Sequence, residues 1–215
     1  NSTFSPIFYQ IKSIPVCIGA TYEFSAWVIN LLPASSTAAA AGSEPNISFK
    51  VNGIVIGNSG PISYANTPAW VKVGGSFIAT TSVVDLQVVN ATSVASGNDL
   101  GLDDIAINVC QSQIAVNGPS TVCDGNTATA TYLVTDPTNT NTWYKWQKSI
   151  NGGSSYTDIT TGAQAAYTAS TFTLPLALGI VNSTMNGYKY RLIVSTTNAG
   201  LADPGCTYFN DFTLI

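Results

Sequence analysis

The strongest constraint on this fold is an apolar/polar alternation with a period of two. In TYEFSAWV, Tyr22, Phe24, Ala26 and Val28 share one parity, while Glu23, Ser25 and Trp27 share the other. That is the pattern of a strand with one face on a core. Val84, Leu86 and Val88 alternate with Asp85 and Gln87 in the same way. PNISFKVNGIVIG places Asn52-Gly53 between two apolar runs, which predicts a hairpin closed by a two-residue turn. AWVKV and SFIAT predict two more strands on either side of Gly74-Gly75. No window sustains the i, i+3, i+4, i+7 pattern of an amphipathic helix. The alanines of LPASSTAAAAGSE favour helix, but the segment has no apolar face to bury and is expected to be a surface loop.

The texture changes after Cys110. VNGPS has the punctuation of a linker entering a second β-domain, and NTWYKWQKSINGGSSYTDI follows as an aromatic strand, a glycine turn and a partner strand. NGYKYRLIVSTTNAG then places Tyr188, Tyr190, Leu192 and Val194 on one face. The expected fold class is all-β, with two β-sandwiches in tandem over residues 1–110 and 111–215.

Charge narrows the function classes. Only 8% of residues are charged, against about 25% in an average soluble domain. Seven basic residues scattered through 215 make no phosphate-binding patch, which argues against nucleic acid as a partner. The apolar runs are strand-sized, well short of the roughly 20 residues of a spanning helix, so no membrane insertion is expected. Asn1 opens a polar segment without an apolar leader, as in a processed secreted chain or a fragment.

The chain has no histidine, which removes Ser/His/Asp triads, Cys/His dyads and histidine-ligated metals together. No GxxxxGK[ST] loop occurs. Asp124-Gly125, Asp136-Pro137 and Asp203-Pro204 are turn contexts. No enzyme is expected. Cys17, Cys110, Cys123 and Cys206 lack metal-ligand spacing and are expected to be disulfides of an extracellular chain. Four cysteines allow three pairings. The domain reading selects Cys17 with Cys110 and Cys123 with Cys206.

One stretch resists a purely architectural account. In GNDLGLDDIAINVC the apolar parity switches: Leu100 and Leu102 share one, Ile105, Ile107 and Val109 the other, and the change falls on Asp103-Asp104. A strand switches faces by inserting a residue, so a β-bulge is expected there. Three roles for the pair stay open at this point: the bulge itself, a structural calcium site with Asp99, and a catalytic carboxylate pair. Trp27, of parity opposite to its strand's core residues, and Trp70, opening a strand after a proline loop, are candidate ligand-binding aromatics. Tyr9 and Tyr64 are weaker ones. The competing role for each is packing in a core. The sequons at Asn1, Asn46, Asn90 and Asn182 are surface hints, of consequence only in a glycosylating host.

TYEFSAWV, PNISFKVNGIVIG and NDLGLDDIAINVC, in that order, resemble jelly-roll modules of large secreted and surface adhesins of gliding-type bacteria. These modules are similar to carbohydrate-binding jelly rolls and to MAM domains. The mid-domain Trp146 strand and the late NGYKY strand resemble an immunoglobulin-like sandwich. That likeness implies Trp146 in the core and Tyr188 as a tyrosine corner, with Tyr190 where antibody domains carry their second cysteine. The jelly-roll resemblance implies calcium near Asp103 and Asp104. It also implies one or two further strands upstream, and hence an edge completed by a strand of a neighbouring chain. The function it implies is an extracellular structural or adhesive module, such as a subunit of a cell-surface filament. The alternative is a carbohydrate-binding module with glycans as partners.

Overall fold

The computed structural model describes residues 7–92, 96–119, 121–165 and 169–215. The fold is all-β with antiparallel pairing throughout, and it divides into two compact units. One comprises residues 1–16 and 21–109, the other residues 17–20 and 110–215.

The first unit contains β1 (Ile7–Pro15), β2 (Thr21–Asn30), β3 (Asn46–Val51), β4 (Ile54–Pro61), β5 (Val71–Ile78), β6 (Val83–Asn90) and β7 (Leu100–Val109). They form two sheets, ordered β1-β6-β3-β4 and β5-β2-β7. The predicted alternation sets the core. Phe24, Ala26 and Val28 from β2 are buried with Ile47 and Phe49 from β3 and with Leu86 and Val88 from β6. Phe24 meets Phe49 edge to face with ring centroids 5.1 Å apart, joining the two sheets. The Asn52-Gly53 hairpin forms as expected, with both residues at positive φ (49° and 83°). Residues 32–44 form turns and bends, as the loop reading anticipated.

AWVKV and SFIAT are not two strands. β5 runs unbroken through Gly74-Gly75. The glycines serve proximity instead of a turn. On β5 Gly75 is paired with Phe24, and on β4 Gly57 is paired with Phe49, so both lie at the level of the central rings. A Cβ on Gly75 would fall on the Ile56 carbonyl, and one on Gly57 on the Gly74 carbonyl. The two backbones therefore touch where the sheets meet.

The second unit contains β8 (Gln113–Asn117), β9 (Thr127–Thr135), β10 (Trp143–Ser149), β11 (Thr157–Asp158), β12 (Ala163–Gln164), β13 (Thr171–Ile180), β14 (Lys189–Ser195) and β15 (Tyr208–Thr213). One sheet is ordered β11-β10-β14-β15, with β12 also on β10; the other is β13-β9-β8. Tyr132 and Trp146 fill the centre, their rings 4.8 Å apart, and the Tyr132 hydroxyl donates to the Tyr190 carbonyl at 2.9 Å. Trp143 is half-buried at the start of β10. Tyr188 is not a tyrosine corner. Its ring lies under Lys148 Nζ, 5.9 Å from the centroid, and its hydroxyl has no backbone partner among the described residues. The buried hydroxyl-to-backbone bond belongs to Tyr132.

The disulfide pairing differs from the expected one. Cys17 is bonded to Cys206, with Cα atoms 5.5 Å apart, while Cys110 and Cys123 are free thiols. The reason is local: residues Cys17–Ala20, between β1 and β2, belong to the second unit. The Ile18 carbonyl accepts from Thr196 Oγ1 at 2.6 Å, and Gly19 at φ 82° leaves room for the Thr196 side chain. The bridge spans 189 residues of sequence, and chain entropy alone would make it worth about 5 kcal/mol.

The aspartates in turn contexts are structural. Asp136 is fully buried and accepts from the Thr138 and Asn141 amides. Asp203 caps a short 3-10 turn through the Gly205 amide. Among the sequons, Asn90 is buried, and Asn1 lies outside the described residues.

The second unit's tyrosines make it sensitive to alkali. Burial raises the Tyr132 hydroxyl's pKa above its ordinary value, with the Asp211 charge adding to the effect. Tyr190 is raised by burial and then by Tyr188. A folded-state pKa above the unfolded one gives stability that is intact below the ordinary tyrosine value of about 10 and lost as pH rises through the folded value. In an alkaline titration, phenolate absorbance from these two residues is expected to appear together with loss of near-UV circular dichroism. Ionisation ahead of unfolding would contradict the burial.

Candidate functional site

On the outer face of the β5-β2-β7 sheet, Trp27 sits at the centre of a cross-strand row. Its strand neighbours are Lys72 on β5 and Asp103 on β7. With Phe24, Ala26 and Val28 directed into the core, the period of two leaves Trp27 facing outward, 39% exposed.

The expected bulge is present and shapes the site. Pairing runs from Ser25–Ala106 directly to Trp27–Asp103, so β2 advances two residues while β7 advances three. Asp104 takes up the extra length at φ 48°, a left-handed conformation that aspartate tolerates better than most residues, and its amide donates to Asp103 Oδ1 at 2.8 Å. Both carboxylates are exposed.

Trp70 arrives from the loop before β5. That loop is tied down by Asn30 Nδ2 donating to the Ile62 carbonyl at 2.8 Å, by the Ser35 amide to Asn66 Oδ1 at 3.2 Å, and by the Tyr64 hydroxyl to the Gly97 carbonyl at 2.8 Å. The indole packs over Gly101 on β7: a Cβ there would lie 3.4 Å from its ring and 3.0 Å from the Ile29 side chain. Trp70 is 45% exposed.

These four side chains, Trp27, Trp70, Asp103 and Asp104, line a shallow pocket of about 270 Å³. No lining residue is basic. Lys72 is held by Glu23 in an ion pair of 2.9 Å. From the sequence the tryptophans are candidate ligand-binding aromatics and the aspartates a bulge, an ion site or a catalytic pair; all four line this one pocket. Asp99 does not line the pocket; its backbone carbonyl accepts from the Leu31 amide at 3.0 Å. Among the described residues, no three His, Cys, Asp or Glu side chains gather as metal ligands. Tyr64 serves as a loop anchor, and Tyr9 is half-buried on β1.

A solved sugar-binding protein resembles part of this chain. It is the C-terminal domain of EclA, described as a sugar-binding protein, matched with a TM-score of 0.38 at 23% identity over 50% of this chain and 71% of that one. No protein-family model and no curated protein matches the sequence.

A second cavity, of about 200 Å³, lies in the second unit between Val122, Asp124, Val181, Asn182 and Leu214. Two of its polar side chains have local structural roles. Asp124 Oδ1 accepts from the Ser183 amide, and Asn182 Oδ1 caps Thr184. The pocket between the tryptophans has uncommitted polar groups, since no described residue donates to the Asp104 carboxylate.

Proposed function

We propose that this chain is a carbohydrate-binding module whose ligand rests in the Trp27–Trp70–Asp103–Asp104 pocket. The observation that carries this reading is the pocket itself. Two indoles and two carboxylates, supplied by β2, β7 and an anchored loop, converge on one solvent-open face. Indole faces stack on the C–H faces of pyranose rings, and carboxylate oxygens accept from their hydroxyls. Neither tryptophan is needed for the core, which Phe24 and Phe49 occupy on the other side of the sheet. Exposed aromatics gathered in a concavity with polar groups mark recognition surfaces.

The module binds without turnover. In this reading the pocket's two carboxylates act as acceptors for sugar hydroxyls and not as the acid and base of a hydrolytic pair, a distinction that the state of the recovered ligand tests. The disulfide suits an extracellular location. Glycan-array screening followed by calorimetric titration tests the reading. Trp27→Ala and Trp70→Ala are each expected to weaken binding roughly thirtyfold or more, as removal of a central aromatic contact does. The recovered oligosaccharide should be uncleaved. Array binding that survives both substitutions would refute the assignment. The same titration in chelator reads out calcium: lost binding would give an ion a part in recognition.

The adhesive reading has its own supporting observation. Among the described residues no strand pairs with the outer edge of β1 or of β7. Ile107 and Val109 are only half-buried, although their β2 partners Phe24 and Tyr22 are in the core. Unpaired edges with apolar side chains accept added strands. Polymer seen by electron microscopy without added glycan would support self-association, and a monomer at high concentration would count against it.

A further inference from the structure

Resting on the carbohydrate-binding reading, we infer that the pocket selects glycans bearing a protonated amine, of the glucosamine type, over neutral and anionic ones. The lining pairs two indole faces with two carboxylates and contains no cation. An ammonium group is attracted both by the indole quadrupole and by the carboxylate charge, whereas a neutral hydroxyl gains only hydrogen bonds. A uronate or sulfated ring meets two like charges. Lys72, the strand partner of Trp27 on β5, is outside the lining and is paired with Glu23 at 2.9 Å.

The bulge prepares the carboxylates for this task. The Asp104 amide occupies Asp103 Oδ1, leaving that side chain's other oxygen available as an acceptor. No described residue donates to the Asp104 carboxylate. Acceptor capacity is therefore present on both residues, beside aromatic faces on which the same sugar ring stacks.

The test uses the whole chain and oligosaccharides of one backbone differing at a single substituent: chitosan, chitin and cellulose oligomers, with a uronate oligomer as the anionic arm. Titrations are run at mildly acidic pH, where the amine is protonated. Chitosan oligomers are expected to bind about tenfold more tightly than their N-acetylated or hydroxyl counterparts, consistent with two partly solvated charge contacts. The margin should shrink as salt rises.

Asp103→Asn and Asp104→Asn are chosen because each keeps the backbone. The side-chain carbonyl introduced by Asp103→Asn can still accept the backbone N–H of the next residue, and asparagine is at ease at the φ of 48° that Asp104 adopts. The double variant should lose the preference for chitosan: its affinity for chitosan should fall by clearly more than its affinity for the neutral oligomers, which also lose hydroxyl contacts, so that the ratio of the two approaches one. Equal affinity for amine and hydroxyl oligomers, or a preference that survives the double variant, would overturn the amine selectivity and leave the carbohydrate reading standing. No binding of any oligomer would defeat both.

Discussion

Gly75→Val is expected to unfold the first unit or to lower its stability by about 3 kcal/mol or more. A Cβ at this position lands on the Ile56 carbonyl, 2.6 Å from its carbon and 3.0 Å from the Gly57 amide nitrogen. These are backbone atoms of a paired strand, so no rotamer change relieves the clash. Either β4 and β5 separate, uncovering the Phe24–Phe49 pair, or β5 shifts and breaks its register with β2. Overpacking of this kind costs about 1–3 kcal/mol where side chains can adjust, and more where they cannot. Against a total stability of roughly 5–15 kcal/mol that is a large share.

A suitable control is Gly53→Ala. Gly53 has φ 83° at the hairpin tip but nothing within 4 Å of its missing Cβ, so only the left-handed backbone penalty of about 1–2 kcal/mol is expected. Gly57→Val, which places the obstruction on the facing strand, should be as damaging as Gly75→Val. The two should be strongly non-additive, because one separation of the strands accommodates both side chains. Denaturant midpoints of the four proteins check this. A Gly75→Val chain as stable as the Gly53→Ala chain would refute the contact.

The same glycines show where sequence reasoning reaches its limit. Alternation in β2, β3 and β6 is a local property and announced both the strands and their buried faces. The parity switch at Asp103-Asp104 is local too, and it foretold the bulge. Gly74-Gly75 looked like a break because the reason for two adjacent glycines, a second backbone at contact distance, lies on another strand. The disulfide failed for a related reason. Cys17 precedes most of the first unit in sequence, and nothing near it signals that residues Cys17–Ala20 pack against Thr196 and bond to Cys206. At the candidate site, the outward parity of Trp27 was legible in its strand. The company of Trp70 was not. It depends on Gly101, thirty-one positions later, offering a bare backbone beneath the indole. The Tyr188 reading came from resemblance alone, and Tyr132 makes the buried hydroxyl bond instead.

Trp146→Ala is the second substitution with a large expected effect, and it tests the division of labour between the units. Trp146 is 5% exposed and lies edge-on to Tyr132 at 4.8 Å and to Tyr144 at 6.3 Å. Its removal leaves a cavity beside a fully buried tyrosine whose hydroxyl is fixed on the Tyr190 carbonyl, so Tyr132 cannot swing in to fill it. Truncating a buried Trp or Phe to Ala costs about 3–5 kcal/mol, and a site that cannot collapse belongs at the upper end. Thermal melting followed by near-UV circular dichroism should show the loss. Glycan binding measured well below the melt should stay within about twofold, because Trp27, Trp70, Asp103 and Asp104 all belong to the first unit. A ligand-induced change in tryptophan emission reads the site directly: in Trp146→Ala the remaining indoles are Trp27 and Trp70 in the pocket and the half-buried Trp143 of the second unit, and the two pocket indoles report ligand. Binding lost in Trp146→Ala while the first unit stays folded would mean that the second unit takes part in recognition, and the four-residue pocket would no longer suffice to explain it.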